Sequence, residues 1–309
     1  MKTSLSPSPS INSMDWVIIK CLILFIVFVV TFFVVNELTF QYAFVNVFHS
    51  YQAVLFLSCV IAYSLAVASG IQSGYLILVV KGAGLMGIAI GLQIVMTGIL
   101  ITTPFPLQDE WFYRVDQAIG YEQKVTIQFI IDHPLLRVVL AHAYNSLKTM
   151  AMLVGIALLI SMKLVSYYRY IAYFLITFLI GSLIYYFFPS TDVSSIIPSK
   201  IFSPSAYMVV EQFKLEHNYK PISQFAIGLI SMPSFHTIWA MVITFSLWNV
   251  RYLRWIALCY SVIVVISALC LGAHFLVDIL AGLVIASGTW RFVVWMIPKT
   301  YHASSLSQS

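Results

Sequence analysis

Residues Trp16 to Val35 form an unbroken apolar block whose one charge, Lys20, lies near an end. As an α-helix rising about 1.5 Å per residue, such a block crosses a hydrocarbon layer roughly 30 Å thick. Comparable blocks recur along the chain, and no polar helices accompany them that could cover them in water. The sequence holds 61% hydrophobic and 9% charged residues, against about 25% charged in a soluble domain. These features exclude a soluble globule. They predict an all-α fold, a polytopic transmembrane helix bundle.

The blocks place eight spans near 16–35, 52–70, 75–101, 138–162, 169–188, 234–249, 253–272 and 274–296, with six as the minimum. Gly82, Gly84, Gly87, Gly91 and Gly98 in the third span suit close helix packing. Residues 1–15 are expected to be a disordered cytoplasmic tail, 16–101 the N-terminal transmembrane helices, 102–298 a membrane domain holding the chemical motifs, and 299–309 a second cytoplasmic tail. The first block is too long for the apolar core of a signal peptide, and Asn36-Glu37-Leu38 follows it where a cleavage site would need small residues. Cys21, Cys59, Cys259 and Cys270 all lie in apolar blocks without CxxC pairing and read as small core residues. The net charge of +5 is scattered over loops and implies no nucleic-acid partner.

The charges also orient the bundle. Lys163, Arg169, Arg251, Arg254, Arg291 and Lys299 fall at one end of an eight-span arrangement, with Asp15 as the one acid there. By the positive-inside rule this end is cytoplasmic. The long connections 102–137 and 189–233 then face outward. Within the first, Trp111, Phe112, Val115 and Ile119 recur at helical spacing with Asp109, Arg114 and Asp116 between them. That pattern predicts an amphipathic helix lying on the outer interface, as a connector or as a lid.

Ionisable groups at membrane depth are costly, so each calls for a reason. Two clusters stand out: Ser231-Met232-Pro233-Ser234-Phe235-His236-Thr237 and Gly272-Ala273-His274-Phe275-Leu276-Val277-Asp278. On a helix, His274 and Asp278 would share a face, four residues apart. A carboxylate there would set the tautomer of the imidazole, although the spacing equally suits a helix-capping pair. Pro233 predicts a helix start nearby, where Ser234 can cap and first-turn N–H groups attract anions such as phosphate. The two histidines sit at opposite ends of a two-helix excursion and must finish at the same membrane face. Two histidines, a carboxylate and an anion-attracting helix end are the parts needed for phosphoryl transfer through a histidine.

PSFHT, followed about forty residues later by GAHFLVDILAG, resembles the second and third signature motifs of the type 2 phosphatidic acid phosphatase superfamily. Phe235, where most members have glycine, is closer to the inositol phosphorylceramide synthase-like branch and its bacterial relatives. The run from Asp109 through Asp132-His133-Pro134 to Tyr144 is also similar to those bacterial relatives, so the resemblance spans roughly residues 105–290. It implies that residues 102–298 are a lipid phosphatase/phosphotransferase-like membrane domain. His274 would be the nucleophile and Asp278 its orienting partner. His236 would be the general acid and base, with Ser234 and Thr237 at the phosphate oxygens. That family requires neither metal nor cofactor, and the sequence holds no ligand cluster demanding one. The substrate would be a lipid phosphate, pyrophosphate or phosphodiester, and the partner the membrane itself.

Two departures stand against this. The family's first motif, KxxxxxxRP, is missing, and Ala268 stands where the third motif has arginine, beside a matching Ser267. A phosphoryl-transfer site normally clamps its charge with cations. Lys148, roughly 15 Å into the fourth span and near His142, Asn145 and Thr149, is the candidate, with Lys200 behind it. A snorkelling lysine is the alternative, and that role is assigned to Lys20 and Lys81. His49, His133, His217 and His302 read as surface groups. The rival function is a non-catalytic lipid-binding or carrier protein that keeps the fold. An outward site means the periplasm for a bacterial inner membrane, or the lumen for a eukaryotic endomembrane.

Overall fold

A hydrocarbon layer offers a backbone no hydrogen bonds, so each crossing segment must satisfy its own N–H and C=O groups. The computed structural model describes residues 11–40, 50–69, 74–100, 103–199, 202 and 230–298, and every extended element among them is helical. The residues in order are α1 (Ile11–Val35, continuing as a π-helical turn Asn36–Phe40), α2 (Ser50–Ala68), α3 (Tyr75–Leu100), α4 (Asp109–Ala118), α5 (Gln123–Asp132), α6 (Pro134–Ile160), α7 (Leu164–Phe187), a 3-10 turn (Val193–Ser195), α8 (Phe235–Leu247), α9 (Leu253–Cys270) and α10 (Leu276–Met296). Six of these, α1, α3, α6, α7, α9 and α10, are long and apolar enough to span a membrane, and α2 and α8 are shorter apolar helices. The chain is an integral, multi-pass helical membrane protein. Residues 1–10 and 299–309 of the expected tails lie outside the described residues, as do His49, Lys200, His217 and His302, whereas residues 11–15, expected to be disordered, are the first turn of α1.

Helix α7 runs through the middle of the bundle, and its tyrosines tie it to three neighbours. Tyr167 donates to Gly82 O of α3 at 2.6 Å, Tyr170 to Ala151 O of α6, and Tyr173 to Ile238 O of α8 at 2.9 Å. One apolar core joins the first helices to the motif-bearing ones, with Phe25, Met96, Leu147, Tyr173, Ile238 and Val293 all in it. The glycines of α3 fit this packing. A Cβ at Gly84, Gly87 or Gly91 would meet Cys59 or Phe56 of α2 at 2.9 Å or less. Outward-facing side chains such as Ile23, Leu24, Val54 and Val284 remain exposed and apolar, as a lipid-facing surface requires.

Several expectations need correction. Lys81 does not snorkel: it pairs with Asp15, both side chains being about 15% exposed or less, and the hydroxyl of Tyr168 donates to the same carboxylate. Arg169 is no loop charge. It is buried on α7 and donates from Nε, at 2.7 Å, and from Nη2 to the carbonyl of Ile297 at the end of α10. The segment holds the expected amphipathic helix, α4, and a second helix, α5, follows it. Within α4 the acids do not face water: Asp109 and Asp116 point inward with Phe112, and Trp111 and Ile119 are more than half exposed. Helix α6 starts at Pro134, four residues earlier than expected.

The Asp15–Lys81 pair ties α1 to α3 at the basic end of the bundle. Removing one partner of a desolvated ion pair leaves a charge uncompensated, an effect of about 3 kcal/mol. Lys81→Ala is therefore expected to lower the thermal midpoint of the detergent-purified protein, and Asp15→Asn in the same chain to recover part of the loss. An unchanged midpoint for Lys81→Ala would return that lysine to a snorkelling role.

Candidate active site

The two motif clusters meet at the end of the bundle opposite the basic loops. Ser234 is the N-cap of α8, its Oγ accepting from Thr237 N at 3.3 Å and from Thr237 Oγ1 at 3.1 Å. Pro233 thus precedes the helix rather than opening it. His236 follows in the first turn. Across from it, Gly272 takes φ +72° to end α9, and a left-handed turn of this kind favours glycine. His274 lies in the bend that follows, not on the helix, because α10 begins at Leu276. Asp278 reaches back over the N-terminus of α10, where its Oδ2 accepts from Phe275 N at 2.9 Å.

These caps bring the rings together. His236 Nδ1 lies 3.2 Å from His274 Nε2. His274 is 3% exposed, and its Nδ1 faces acceptors: Ser231 O at 3.0 Å, Ser231 Oγ at 3.3 Å and Asp278 Oδ2 at 3.6 Å. Ser231 Oγ donates to Asp278 Oδ2 at 2.7 Å. The network therefore puts the His274 proton on Nδ1 and leaves a lone pair on Nε2, facing His236. Asp278 Oδ1 is buried with no partner among the described residues, so much of its negative charge stays available to an imidazolium beside it. Tyr144 of α6 stacks on a face of His236, with centroids 3.8 Å apart and planes at 16°.

Helices α8 and α10 can approach this closely because of Gly282, where a Cβ would meet Ser234 O at 2.9 Å and Thr237 Cβ at 3.0 Å. The Ser234 N–H itself is held by Asp278 O at 3.0 Å. Lys148 lies one turn beyond Tyr144 on α6, near enough to His236 for its charge to act there. Its neighbour Thr149 joins it in lining a cavity, whereas His142 is bound to Val138 O of its own helix and His133 to Phe129 O. Ala268, in the position of the family's arginine, is fully buried.

Sequence reasoning missed the residues that hold this site from outside the two motifs. Asp116 of α4 accepts from Leu276 N at 2.7 Å and Val277 N at 2.9 Å, capping α10 from a distant part of the chain. Asp109 accepts from Ser190 Oγ, Thr191 N and Thr191 Oγ1, each at 2.8 Å, and so fixes the turn after α7. That turn adds Asp192, which accepts from Ser194 N at 2.8 Å. A small second core of Phe112, Ile127, Ile130, Leu140, Val193 and Phe275 packs beneath. The signal in the sequence was the period of Asp109, Phe112 and Asp116 on one helical face, which a water-facing reading of the acids hides.

Burial pushes the carboxyls of Asp109 and Asp116 up, and that of Asp192 up to about 6. A carboxyl whose folded pKa exceeds its unfolded value, about 3.9, binds more protons folded than unfolded between the two. It therefore supports the fold below that window and opposes it above. The protein is expected to lose stability as pH rises from about 4 to 6, and Asp192→Asn to flatten that slope and raise the midpoint near pH 7. Thermal unfolding of both proteins across this range is the measurement. Parallel curves would show that Asp192 ionises as readily folded as unfolded.

A sequence model of the PAP2 superfamily matches residues 110–292, more than half of the chain. No curated protein and no solved structure gives a significant match. The matched span begins in α4 and ends in α10, and holds His236, His274, Asp278, Ser231, Ser234, Tyr144 and Lys148, with Asp109 one residue before it. The chain belongs to the PAP2 superfamily, whose members are generally phosphatases or phosphotransferases.

Proposed function

We propose that this protein is a membrane lipid phosphatase or phosphotransferase that works through a phosphohistidine on His274. The observation that carries the reading is the histidine pair, with His274 Nε2 3.2 Å from His236 Nδ1 and His274 Nδ1 facing the carbonyl of Ser231 at 3.0 Å, an arrangement that favours a lone pair on Nε2. A nucleophile oriented by a buried carboxylate, beside a second imidazole that can carry a proton, is the arrangement covalent phosphoryl transfer requires.

Substrate phosphate first enters between the rings, replacing their direct contact. The Nε2 lone pair of His274 then forms the N–P bond as the P–O bond to the leaving group breaks. His236 gives that oxygen its proton. Asp278, with Ser231 between, stabilises the positive charge that remains on the His274 ring. In the second half an acceptor hydroxyl loses its proton to His236, attacks phosphorus and releases His274. Water as acceptor makes the protein a phosphatase, and a lipid hydroxyl makes it a phosphotransferase.

Around the phosphate, the Ser234 hydroxyl proton and the first-turn N–H groups of Phe235 and His236 supply donors. The Thr237 N–H is already taken by the cap, so Thr237 acts through Ser234. Lys148 supplies the positive charge that the absent first motif and Ala268 do not. Phe235 favours the inositol phosphorylceramide synthase-like branch, and with it transfer between lipids. It packs on Phe178, centroids 5.1 Å apart, over Gly181, where a Cβ would meet its ring at 2.5 Å. The basic loops at the opposite end support an outward-facing site, in the periplasm of a bacterial inner membrane or the lumen of an endomembrane.

The test is a panel of labelled lipid phosphates, pyrophosphates and phosphodiesters offered to the purified protein, with free phosphate and new lipid products separated. His274→Ala is expected to abolish both, and Asp278→Asn to lower kcat about 10³-fold or more. Equal turnover by His274→Ala and the unaltered protein would sink the nucleophile assignment. A well-folded protein that binds these lipids and turns over none would be a carrier. Lys148→Ala is expected to lower kcat/KM about 10²-fold, with Lys148→Arg recovering much of it. No loss in either variant would place the cationic clamp elsewhere.

A further inference from the structure

A cavity of about 280 Å³ lies between α3, α6, α7 and α8, lined by Met86, Ile90, Met152, Phe174, Trp239 and Lys148 among others. We infer that it is the seat of one hydrocarbon chain of the substrate lipid, held while the head group occupies the histidine pair. This rests on the lipid-directed reading above and adds where the lipid's tail goes.

Connectivity argues for it first. Helices α6 and α8 both run from the motif end into the bundle. Lys148 is one turn deeper than Tyr144, which stacks on His236, and Trp239 is one turn deeper than His236 itself. The cavity therefore begins where the catalytic rings stop, on the side toward the membrane interior. A phosphate between His236 and His274 would point its ester substituent along this line.

The chemistry of the lining agrees. The walls are chiefly apolar and flexible, including two methionines, which adapt to an irregular chain. Ile90 and Met152 are 43% and 45% exposed, so the cavity opens toward the lipid-facing surface between α3 and α6. A chain could enter sideways without its head group leaving the interface. The polar exceptions gather where a lipid's linkage would lie. Lys148 has no ion pair or hydrogen bond among the described residues, and the buried indole N–H of Trp239 has no partner there either. An ammonium at the rim of the cavity, on the side of the phosphate, matches a lipid read from head to tail. The size suits a single chain, being near the lower end of small-molecule pockets at about 300 Å³.

The full-length protein, in bilayer discs of phosphatidylcholine, would be labelled with a phosphatidic acid carrying a diazirine in one acyl chain. Mass spectrometry would locate the adducts. Adducts are expected on residues lining the cavity, reduced about tenfold when Ile90→Trp and Met152→Trp narrow it. Leu153→Trp, equally exposed on α6 but outside the cavity, should leave them unchanged. Adducts spread evenly over α1 and α2, or indifferent to the tryptophans, would overturn the inference. So would labelling that excess phosphatidylcholine of the same chain length competes away as well as phosphatidic acid does, since the cavity would then hold bulk lipid. Labelling needs no turnover, so the two readings separate. Cavity adducts without hydrolysis or transfer would leave this site and remove the enzyme; turnover without cavity adducts would do the reverse.

Discussion

Asp278 is the point through which the two halves of the site are joined. Its Oδ2 accepts from Phe275 N of its own helix and from Ser231 Oγ across the gap, and its backbone carbonyl accepts from Ser234 N at the cap of α8. One residue thus starts α10 and anchors α8, and its carboxylate lies 3.6 Å from the Nδ1 of His274, whose nearest acceptor is Ser231 O at 3.0 Å. A carboxylate buried this completely is tolerable because it sits on the N-terminus of a helix, where unpaired N–H groups and the helix dipole favour negative charge. The position of the histidine pair follows from that capping geometry, not from contact between the rings.

Around this node the protein has built a layer of buried acids with few cations. Asp109, Asp116 and Asp192 each meet backbone N–H groups or hydroxyls in place of arginines. Their work is mechanical. Asp116 carries α4 onto the start of α10, and Asp109 carries the turn after α7 onto α4, so a non-helical stretch at the mouth of the site is held by side chains. Non-helical backbone near a membrane needs such partners, since lipid supplies none. Among the described residues, Lys148 is the lysine whose charge reaches His236.

Much of the architecture was legible before any coordinates. Long apolar blocks predict helices and their rough ends because a membrane filters for one period and one length, and neither depends on tertiary detail. The glycine stripe of α3 pointed to close helix packing, and the fold made α2 the partner at Gly84, Gly87 and Gly91. Charged residues were harder. Lys81 and Arg169 carry the same sequence signature as snorkelling or loop cations, and only the positions of Asp15 and of the Ile297 carbonyl tell them apart. The acids of α4 misled for a related reason: their partners are Ser190, Thr191 and the N–H groups of α10, all more than seventy residues away.

The sequence alone determined the membrane bundle, the family of its motifs and the residues that could carry chemistry, because each is written in local spacing. The tertiary structure decided how those residues are used. His274 and Asp278 are four apart either as neighbours on a helix face or as a bend and its cap, and the chain adopts the second. Ser231 was one more polar residue near a proline until the fold placed it between His274 and Asp278. Lys148 was a lone charge in an apolar segment until the fold set it, still exposed, at the rim of the cavity near His236. Spacing states which groups a helix can present together, but hydrogen-bond partners far apart in the chain determine which way each group faces.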